Sequence, residues 1–374
     1  MWGYQNPVKI AFGPGAFSQL SDLIAGRKYA LVTYPEKPFD ELTRQVEAQA
    51  GAPQLIIDDV APNPDYQLLE TQTARFTHHN DIELIVALGG GSVIDSAKVF
   101  AAANGNFSTI ARFLETKQGG DTLSILPVIA IPTTAGTGSE VTSWATVWSD
   151  AQGKKYSLAH QQLYPESALI DPELMLGKPY DLTLATGLDA LSHSLESIWN
   201  INANPISARY AITASNTILE ALPQLMSNLG SLELRTEMCT AAMYAGLAFS
   251  NTKTAIAHNL SYPITQGWGV QHGIACSFTL PTVLRSVIGI GDFREAALKE
   301  IFGPDLNDGA DRLSSLFAEL GIGARFTDYG VPAEQCKTII DEAFAGERGR
   351  NFIGSKDKFL AAATEHNIVE LSAA

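Results

Sequence analysis

The sequence predicts an α/β fold in two parts: an open parallel sheet flanked by helices over residues 1–178, then an all-helical domain over 179–374. Two observations carry this. In the first half, short apolar runs alternate with helix-length segments, the pattern of a parallel sheet. From Pro179 onward the strand-like runs vanish and long Ala/Leu-rich segments replace them. A chain of 374 residues agrees with a prior of about two or three domains, each with enough apolar residues for its own core.

A helical segment, Ala16–Ile24, precedes the first apolar run, Lys28–Tyr34. Leu55–Ile57 repeats the theme, and a polar helix-like stretch follows from Tyr66 to His79. The strand-like Glu83–Leu88 runs directly into Gly89-Gly90-Gly91-Ser92, which opens a helix to Ala103. Open parallel sheets bind ligands beyond the carboxyl ends of their strands. A helix N-terminus there presents free N–H groups and a favourable dipole to a phosphate. A sharp strand-to-helix turn is the other reading of three glycines, at roughly even odds. The motif is not GxGxxG, so the dinucleotide fingerprint itself does not apply. Asp95, in the first turn, reads as a dipole partner rather than a catalyst.

After the strand Val128–Ala130, the segment Thr133–Ser139 packs hydroxyls and glycines together. It suits a loop wrapped on a polar ligand, or an ordinary Ser/Thr-rich loop. Ala145–Trp148, a turn at Asp150 to Gly153, and Lys155–Ala159 read as a hairpin. Lys155 is placed to donate to a ribose, although a solvated strand lysine is the commoner fate. Ala168–Pro172 closes this half.

In the second half the helical segments are Leu184–Trp199, Pro205–Met226, Leu232–Phe249, Arg312–Leu320 and Pro332–Ala345. Asp189 and His193 lie four residues apart, so both side chains leave one helix face. A carboxylate and an imidazole suit a divalent transition metal. His258, on a helix expected to end at Pro263 or Gly267, and His272 are able to complete a four-ligand site. Each has a plainer reading: a surface pair for Asp189 and His193, a hydrogen-bonded core imidazole for a lone histidine. Either alone has a chance of about one in five of binding metal.

A formal net charge of −15 argues against nucleic-acid binding, which needs a basic footprint. Cys239, Cys276 and Cys336 have no CxxC spacing and read as reduced thiols of a cytoplasmic protein. Met1–Pro7 lacks the basic and apolar regions of a signal peptide. The longest apolar run, Ile125–Ile131, is far short of the ~20 residues of a membrane helix.

Over essentially its whole length the chain resembles the iron-containing (group III) alcohol dehydrogenases. The matching segments are Ile10–Gly13, Gly89–Ser92, Pro132–Glu140, Ile170–Pro172, Thr186–His193, His258 and His272-Gly273. The resemblance implies a Rossmann-like sheet and a helical domain of the dehydroquinate synthase type. It implies Asp189, His193, His258 and His272 as ligands of Fe²⁺, with Zn²⁺ as an alternative. It also implies Gly90, Gly91 and Ser92 on the pyrophosphate of NAD or NADP. Thr133, Thr134, Thr137, Thr142 and Lys155 would line the nicotinamide and its ribose, and Asn63 the adenosine side. The expected activity is reduction of a small aldehyde or oxidation of a primary alcohol, in a homo-oligomer, a dimer. A lyase of the dehydroquinate synthase kind is the rival reading.

Two departures matter. Many family members carry Thr-Asp after the first cofactor strand, where the carboxylate repels a 2′-phosphate. Here the residues are Thr33-Tyr34, which opens the site to NADP, with Lys37 a nearby cation. Many members also place a second histidine four residues after the third ligand. Here that position is Tyr262, a poor neutral-pH base that can orient a substrate or donate a proton. His258–Thr265 looks like the branch that reduces phosphonoacetaldehyde. Lys253, Arg348 and Arg350 are then candidate cations for the phosphonate.

Overall fold

The computed structural model describes residues 1–149, 151 and 153–369. They form two compact units, one of Asn6–Leu176, the other of Met1–Gln5 with the chain from Gly177 on.

The first unit is built on a six-stranded sheet in the order β1-β8-β5-β4-β2-β3. The strands are β1 (Lys9–Phe12), β2 (Tyr29–Val32), β3 (Leu55–Ile57), β4 (Leu84–Gly89), β5 (Val128–Pro132) and β8 (Ser167–Ile170). All pairings in it are parallel. The α/β expectation is therefore borne out. Successive side chains leave opposite faces of a strand, and here both faces are apolar. Ala30, Val32, Ile85, Ala87 and Val128 enter one core. Tyr29, Leu31, Leu84, Val86 and Ile129 enter the other. Every residue of β4 is buried, as a strand covered on both sides requires. Helices α1 (Leu20–Ile24), α2 (Phe39–Ala50), α3 (Tyr66–Thr73), α4 (Gly91–Ala103) and α5 (Phe107–Thr116) supply the cover.

The expected hairpin forms from β6 (Trp144–Ser149) and β7 (Lys154–Ala159), paired antiparallel. Its expected turn falls partly on Asp150 and Gln152, which lie outside the described residues. β1 has no counterpart among the apolar runs. It is a four-residue edge strand with Ile10 and Phe12 exposed, so burial never shaped its sequence.

The second unit is helical: α6 (Tyr180–Ile198), α7 (Pro205–Ser227), α8 (Leu232–Thr252), α9 (Ile256–Trp268), α10 (His272–Ser277), α11 (Leu280–Ser286), α12 (Phe293–Phe302), α13 (Leu306–Glu319), α14 (Ala333–Ala345) and α15 (Lys356–Glu365). α6 is the central helix, buried on all sides from Gly187 to Ile198. Its serines tolerate burial because each hydroxyl bonds back to a carbonyl: Ser192 to Leu188, Ser194 to Leu191, Ser197 to His193. α7 starts on a capping box of Asn204 and Ser207 with Pro205 at its first position. α9 does not end at Pro263 or Gly267 but continues to Trp268, with Gly269 as its left-handed cap. A proline inside a helix costs about 3 kcal/mol. Leu260 and Ile264, both fully buried, anchor the helix on either side of it.

Candidate active site

The strand order places a reversal of direction between β2 and β4, and the crevice at such a switch point is where open α/β sheets bind ligands. The glycine turn lies there, with Gly90 as the N-cap of α4. The threonine loop folds onto it. The Thr133 amide donates to the Gly89 carbonyl at 3.0 Å. A Cβ on Gly91 would come 2.7 Å from Thr137, and one on Gly90 3.3 Å from the Thr134 hydroxyl. Ser92 Oγ accepts from the Asn63 amide at 3.2 Å. Gly90, Gly91, Ser92, Asn63, Thr134 and Thr137 are thus brought together.

Thr133 and Thr142 are buried instead. The Thr142 hydroxyl accepts from Lys98 Nζ at 3.2 Å. Lys155 Nζ lies over the Trp148 ring, 5.1 Å from its centre. Tyr34 packs edge-on against Phe39, and burial raises its phenol despite a hydrogen bond with Ser92.

Beneath the loop lies a residue that the sequence reading passed over. Lys98 is fully buried and donates to the carbonyls of Ser139 (2.6 Å), Thr142 (2.9 Å) and Trp144 (2.9 Å). Asp95 accepts from Ser139 Oγ at 2.5 Å and from the Thr146 amide at 2.7 Å. It therefore ties the loop to the hairpin and is more than a dipole partner. Burial lowers Lys98 to about 8 and raises the nearby Glu140 to about 7. The spacing of Asp95 and Lys98, three apart on α4, was the available signal.

The second cluster lies in the helical unit. Asp189 on α6, His258 on α9, and His272 and Cys276 on α10 bring four ligand atoms within 4.8 Å of one another. Asp189 Oδ1 and His258 Nε2 stand 3.4 Å apart. Both are buried and neither has a hydrogen-bond partner. Two unsatisfied buried atoms facing one another are costly unless a proton or a metal cation lies between them. Donors each about 2.1 Å from a tetrahedral ion are about 3.4 Å apart, so the spacing fits a metal. His193 Nε2 is 3.9 Å from Asp189 Oδ1, and its ring stacks on Phe249 and His258. Tyr262 lies parallel to the His272 ring at 6.0 Å.

Glu196, fully buried, orients His258. One oxygen accepts from His258 Nδ1 at 2.6 Å and from the Ala255 amide at 2.9 Å. The other accepts from the amides of Ala257 (2.6 Å) and His258 (3.2 Å). The carboxylate thus caps the start of α9 and turns Nε2 toward Asp189. Burial alone would lower the His258 imidazole, but Cys276, Glu196 and Asp189 hold it well above its ordinary value. Burial would likewise raise Asp189, yet the neighbouring His193, then His258 and His272, keep it below the usual carboxylate range. The cluster is built for positive charge. Gly273 permits it, since a Cβ there would fall 1.8 Å from the Ala185 carbonyl oxygen of α6.

The model of the family described as iron-containing alcohol dehydrogenase matches residues 7–172, and that of its C-terminal part matches 183–361. The chain belongs to the iron-containing alcohol dehydrogenase family. It is an oxidoreductase of alcohols and aldehydes, and the matches give no support to the lyase alternative. Among the relatives is an NAD-dependent methanol dehydrogenase from Bacillus methanolicus, 31% identical over 362 residues, 92% of this chain and 93% of that one. Another is a phosphonoacetaldehyde reductase from Streptomyces viridochromogenes, 35% identical over 239 residues, 62% of this chain and 60% of that one. Among solved structures, a sulfoacetaldehyde reductase from Bifidobacterium kashiwanohense in complex with NAD+ superposes with a TM-score of 0.88. It is 30% identical, with 98% of each chain covered.

Within this family member, the residues that sequence reasoning missed are Lys98, Glu196 and Cys276. Glu196 lies three residues after His193 and Cys276 four after His272, so helical spacing from a named ligand was the signal for both.

Proposed function

We propose that the protein reduces a small aldehyde carrying a phosphonate or sulfonate, phosphonoacetaldehyde being the first candidate. The cation is iron, held by Asp189, His193, His258 and His272, with zinc as an alternative occupant. The dinucleotide is held by Asn63, Gly90, Gly91, Ser92, Thr134 and Thr137, with Lys155 toward its ribose; the buried Thr133 and Thr142 support the loop from beneath. The observation that carries the reading is the pair of unsatisfied buried atoms, Asp189 Oδ1 and His258 Nε2, facing each other at 3.4 Å.

The chemistry supplied by the bound groups is polarisation of a carbonyl oxygen by the cation and hydride donation by the nicotinamide. The chain's own residues bind and orient. Glu196 fixes the His258 ring, and a ligand so held is conserved in its tautomer and direction. The N-terminus of α4 neutralises the pyrophosphate. Tyr262 orients the substrate and hands it a proton. NADPH is accepted as well as NADH, because Tyr34 stands where a carboxylate would repel the 2′-phosphate.

The anionic substrate follows from two relatives whose named aldehydes, phosphonoacetaldehyde and sulfoacetaldehyde, share a tetrahedral oxyanion. Candidate cations stand near the His258 segment. Lys253 Nζ is 4.0 Å from Glu347. The loop carrying Arg348 is pressed onto Asn259 through Gly346, where a Cβ would come 2.3 Å from the Asn259 amide.

The enzyme is a cytoplasmic homodimer in this reading. Its described cysteines are free thiols, and β1 offers an exposed strand edge to a second copy. No described helix is long and apolar enough to cross a membrane.

The test is an aldehyde panel with NADH and NADPH on protein of measured metal content. Phosphonoacetaldehyde is expected to give the highest kcat/KM. Its KM should rise about tenfold or more in the Lys253→Ala, Arg348→Ala double variant. Equal turnover of propanal and the phosphonate would refute the substrate assignment.

A further inference from the structure

Lys253, Thr254 and Ala255 link α8 to α9, and the backbone there departs from what the residue type favours. Lys253 has φ 63° and ψ 178°, a region that glycine enters freely and a residue with a Cβ enters only under strain. The strain is held from outside. The Asn202 side chain donates to the Thr252 carbonyl (3.3 Å), that of Asn200 to the Lys253 carbonyl (3.1 Å) and that of Asn351 to the Thr254 carbonyl (2.9 Å). Three consecutive carbonyls, each taken by a separate asparagine, fix a conformation that no local preference asks for. The link is also tied to the cluster on either side of it. The Lys253 N–H donates to the Phe249 carbonyl at 2.7 Å, and the Phe249 ring stacks on His193 at 4.0 Å. Just after it, the Ala255 amide donates to the Glu196 oxygen that orients His258.

The link carries donors with nothing to donate to. Thr254 is only 6% exposed, yet among the described residues neither its amide nor its hydroxyl has a protein acceptor. A buried N–H without an acceptor is rare and calls for a ligand or water. Lys253 Nζ stands 4.0 Å from Glu347, at the limit of an ion pair, and the two side chains are 49% and 70% exposed. Water therefore screens that pair and leaves the ammonium charge available. An ammonium, an amide N–H and a hydroxyl on two consecutive residues are a donor set for a tetrahedral oxyanion. α9 begins at Ile256, and its dipole favours negative charge at that end.

We propose that Lys253 and Thr254 form the subsite that reads the anionic tail of the substrate, a phosphonate or a sulfonate, and that the strained backbone at Lys253 is kept because it presents these donors together. This rests on the reductase reading given above and assigns its specificity to two residues. The tail is held by charge and hydrogen bonds alone, with no bond made or broken. A neutral aldehyde forgoes these contacts.

The test is steady-state reduction of phosphonoacetaldehyde, sulfoacetaldehyde and propanal by the full-length, metal-loaded protein and its variants. In Lys253→Ala and Lys253→Gly the ratio of kcat/KM for the anionic aldehyde to that for propanal should fall about tenfold or more, carried by KM. Lys253→Arg keeps the charge and should restore most of the ratio. Thr254→Val keeps the shape, loses the hydroxyl, and should lower the ratio about fivefold. The anionic aldehyde with the larger loss is the tail the subsite fits. Urea unfolding gives a readout independent of turnover. Lys253→Gly relieves strain that Lys253→Ala retains, so its midpoint should be the higher of the two despite the greater chain freedom of glycine. A glycine midpoint at or below that of alanine overturns the strained backbone as the reason for the geometry. A parent that prefers the anionic aldehydes, with a ratio within about twofold of it in Lys253→Ala, overturns the subsite while leaving the proposed function standing. A parent that reduces propanal but neither anionic aldehyde overturns the subsite and the substrate class together. If Thr254→Val does not fold, the Lys253 variants decide.

Discussion

Replacing Glu196 by glutamine keeps the shape of the side chain and removes its charge. In the parent one oxygen serves the amides of Ala257 and His258, and the other serves the Ala255 amide and His258 Nδ1. A glutamine has one acceptor oxygen and one NH2. With its oxygen toward Ala257, the NH2 meets the Ala255 N–H, donor against donor. His258 Nδ1 must then accept, which moves the ring proton to Nε2, the atom aimed at Asp189. The opposite orientation sets the NH2 against two backbone donors. In the milder case one buried N–H is orphaned, at about 1–3 kcal/mol. A ligand held in the wrong tautomer costs about 10–100-fold in metal affinity. Chelator competition with Co²⁺ or Zn²⁺ measures the affinity, and urea unfolding of the metal-free protein measures the stability. Affinity within twofold of the parent would refute the claim that Glu196 acts by aiming His258. A loss of stability with unchanged affinity would make Glu196 a helix cap only.

Gly273→Ala drives a methyl into the Ala185 carbonyl and pushes α10 off α6; metal content after dialysis is expected to fall about tenfold or more, an overpacking effect of about 1–3 kcal/mol. Gly91→Ala wedges the glycine turn away from Thr137, and fluorescence titration should show dinucleotide binding weakened about tenfold, or about 1.4 kcal/mol. Lys98→Met strands three buried carbonyls and removes the cation beside the half-buried Asp95, so the sheet unit should lose about 3–5 kcal/mol in denaturant unfolding. Glu140, raised to about 7 in the folded protein from an ordinary 4.5, contributes stability that is full below pH 4.5 and lost as pH rises through 7. Lys98, lowered to about 8 from 10.5, contributes stability that is full above pH 10.5 and lost as pH falls through 8. Glu140→Gln should therefore remove a decline of about 3 kcal/mol between pH 4.5 and 7, read as the difference between parent and variant stability profiles.

The buried strands were legible because a strand covered on both faces must be apolar throughout, as β4 is, and because glycines and helices punctuate it. β1 was not, since its residues face outward and only pairing with β8 makes them a strand. The helix of His258 was expected to stop at Pro263 or Gly267. A local rule set that limit, whereas long-range burial of Leu260 and Ile264 decides where α9 runs. At the cation cluster, Asp189 and His193 announce themselves by spacing, but their convergence with His258 and His272 depends on α6, α9 and α10 packing together. No periodicity in a single segment encodes that. Lys98 and Glu196 escaped notice because a charged residue in an apolar helix reads as a solvent-facing break, and here both charges are wholly interior. Thr142 shows the converse: its type suited a ligand loop, while its hydroxyl is engaged by Lys98.

The helix carrying Asp189 and His193 is sealed by its own serines and by neighbouring helices, whereas His272 alone of the four assigned ligands keeps partial access to solvent. Among these four, water therefore reaches the set through the His272 side chain, so a chelator should strip the ion from the folded protein slowly and faster once α10 is loosened, as in Gly273→Ala.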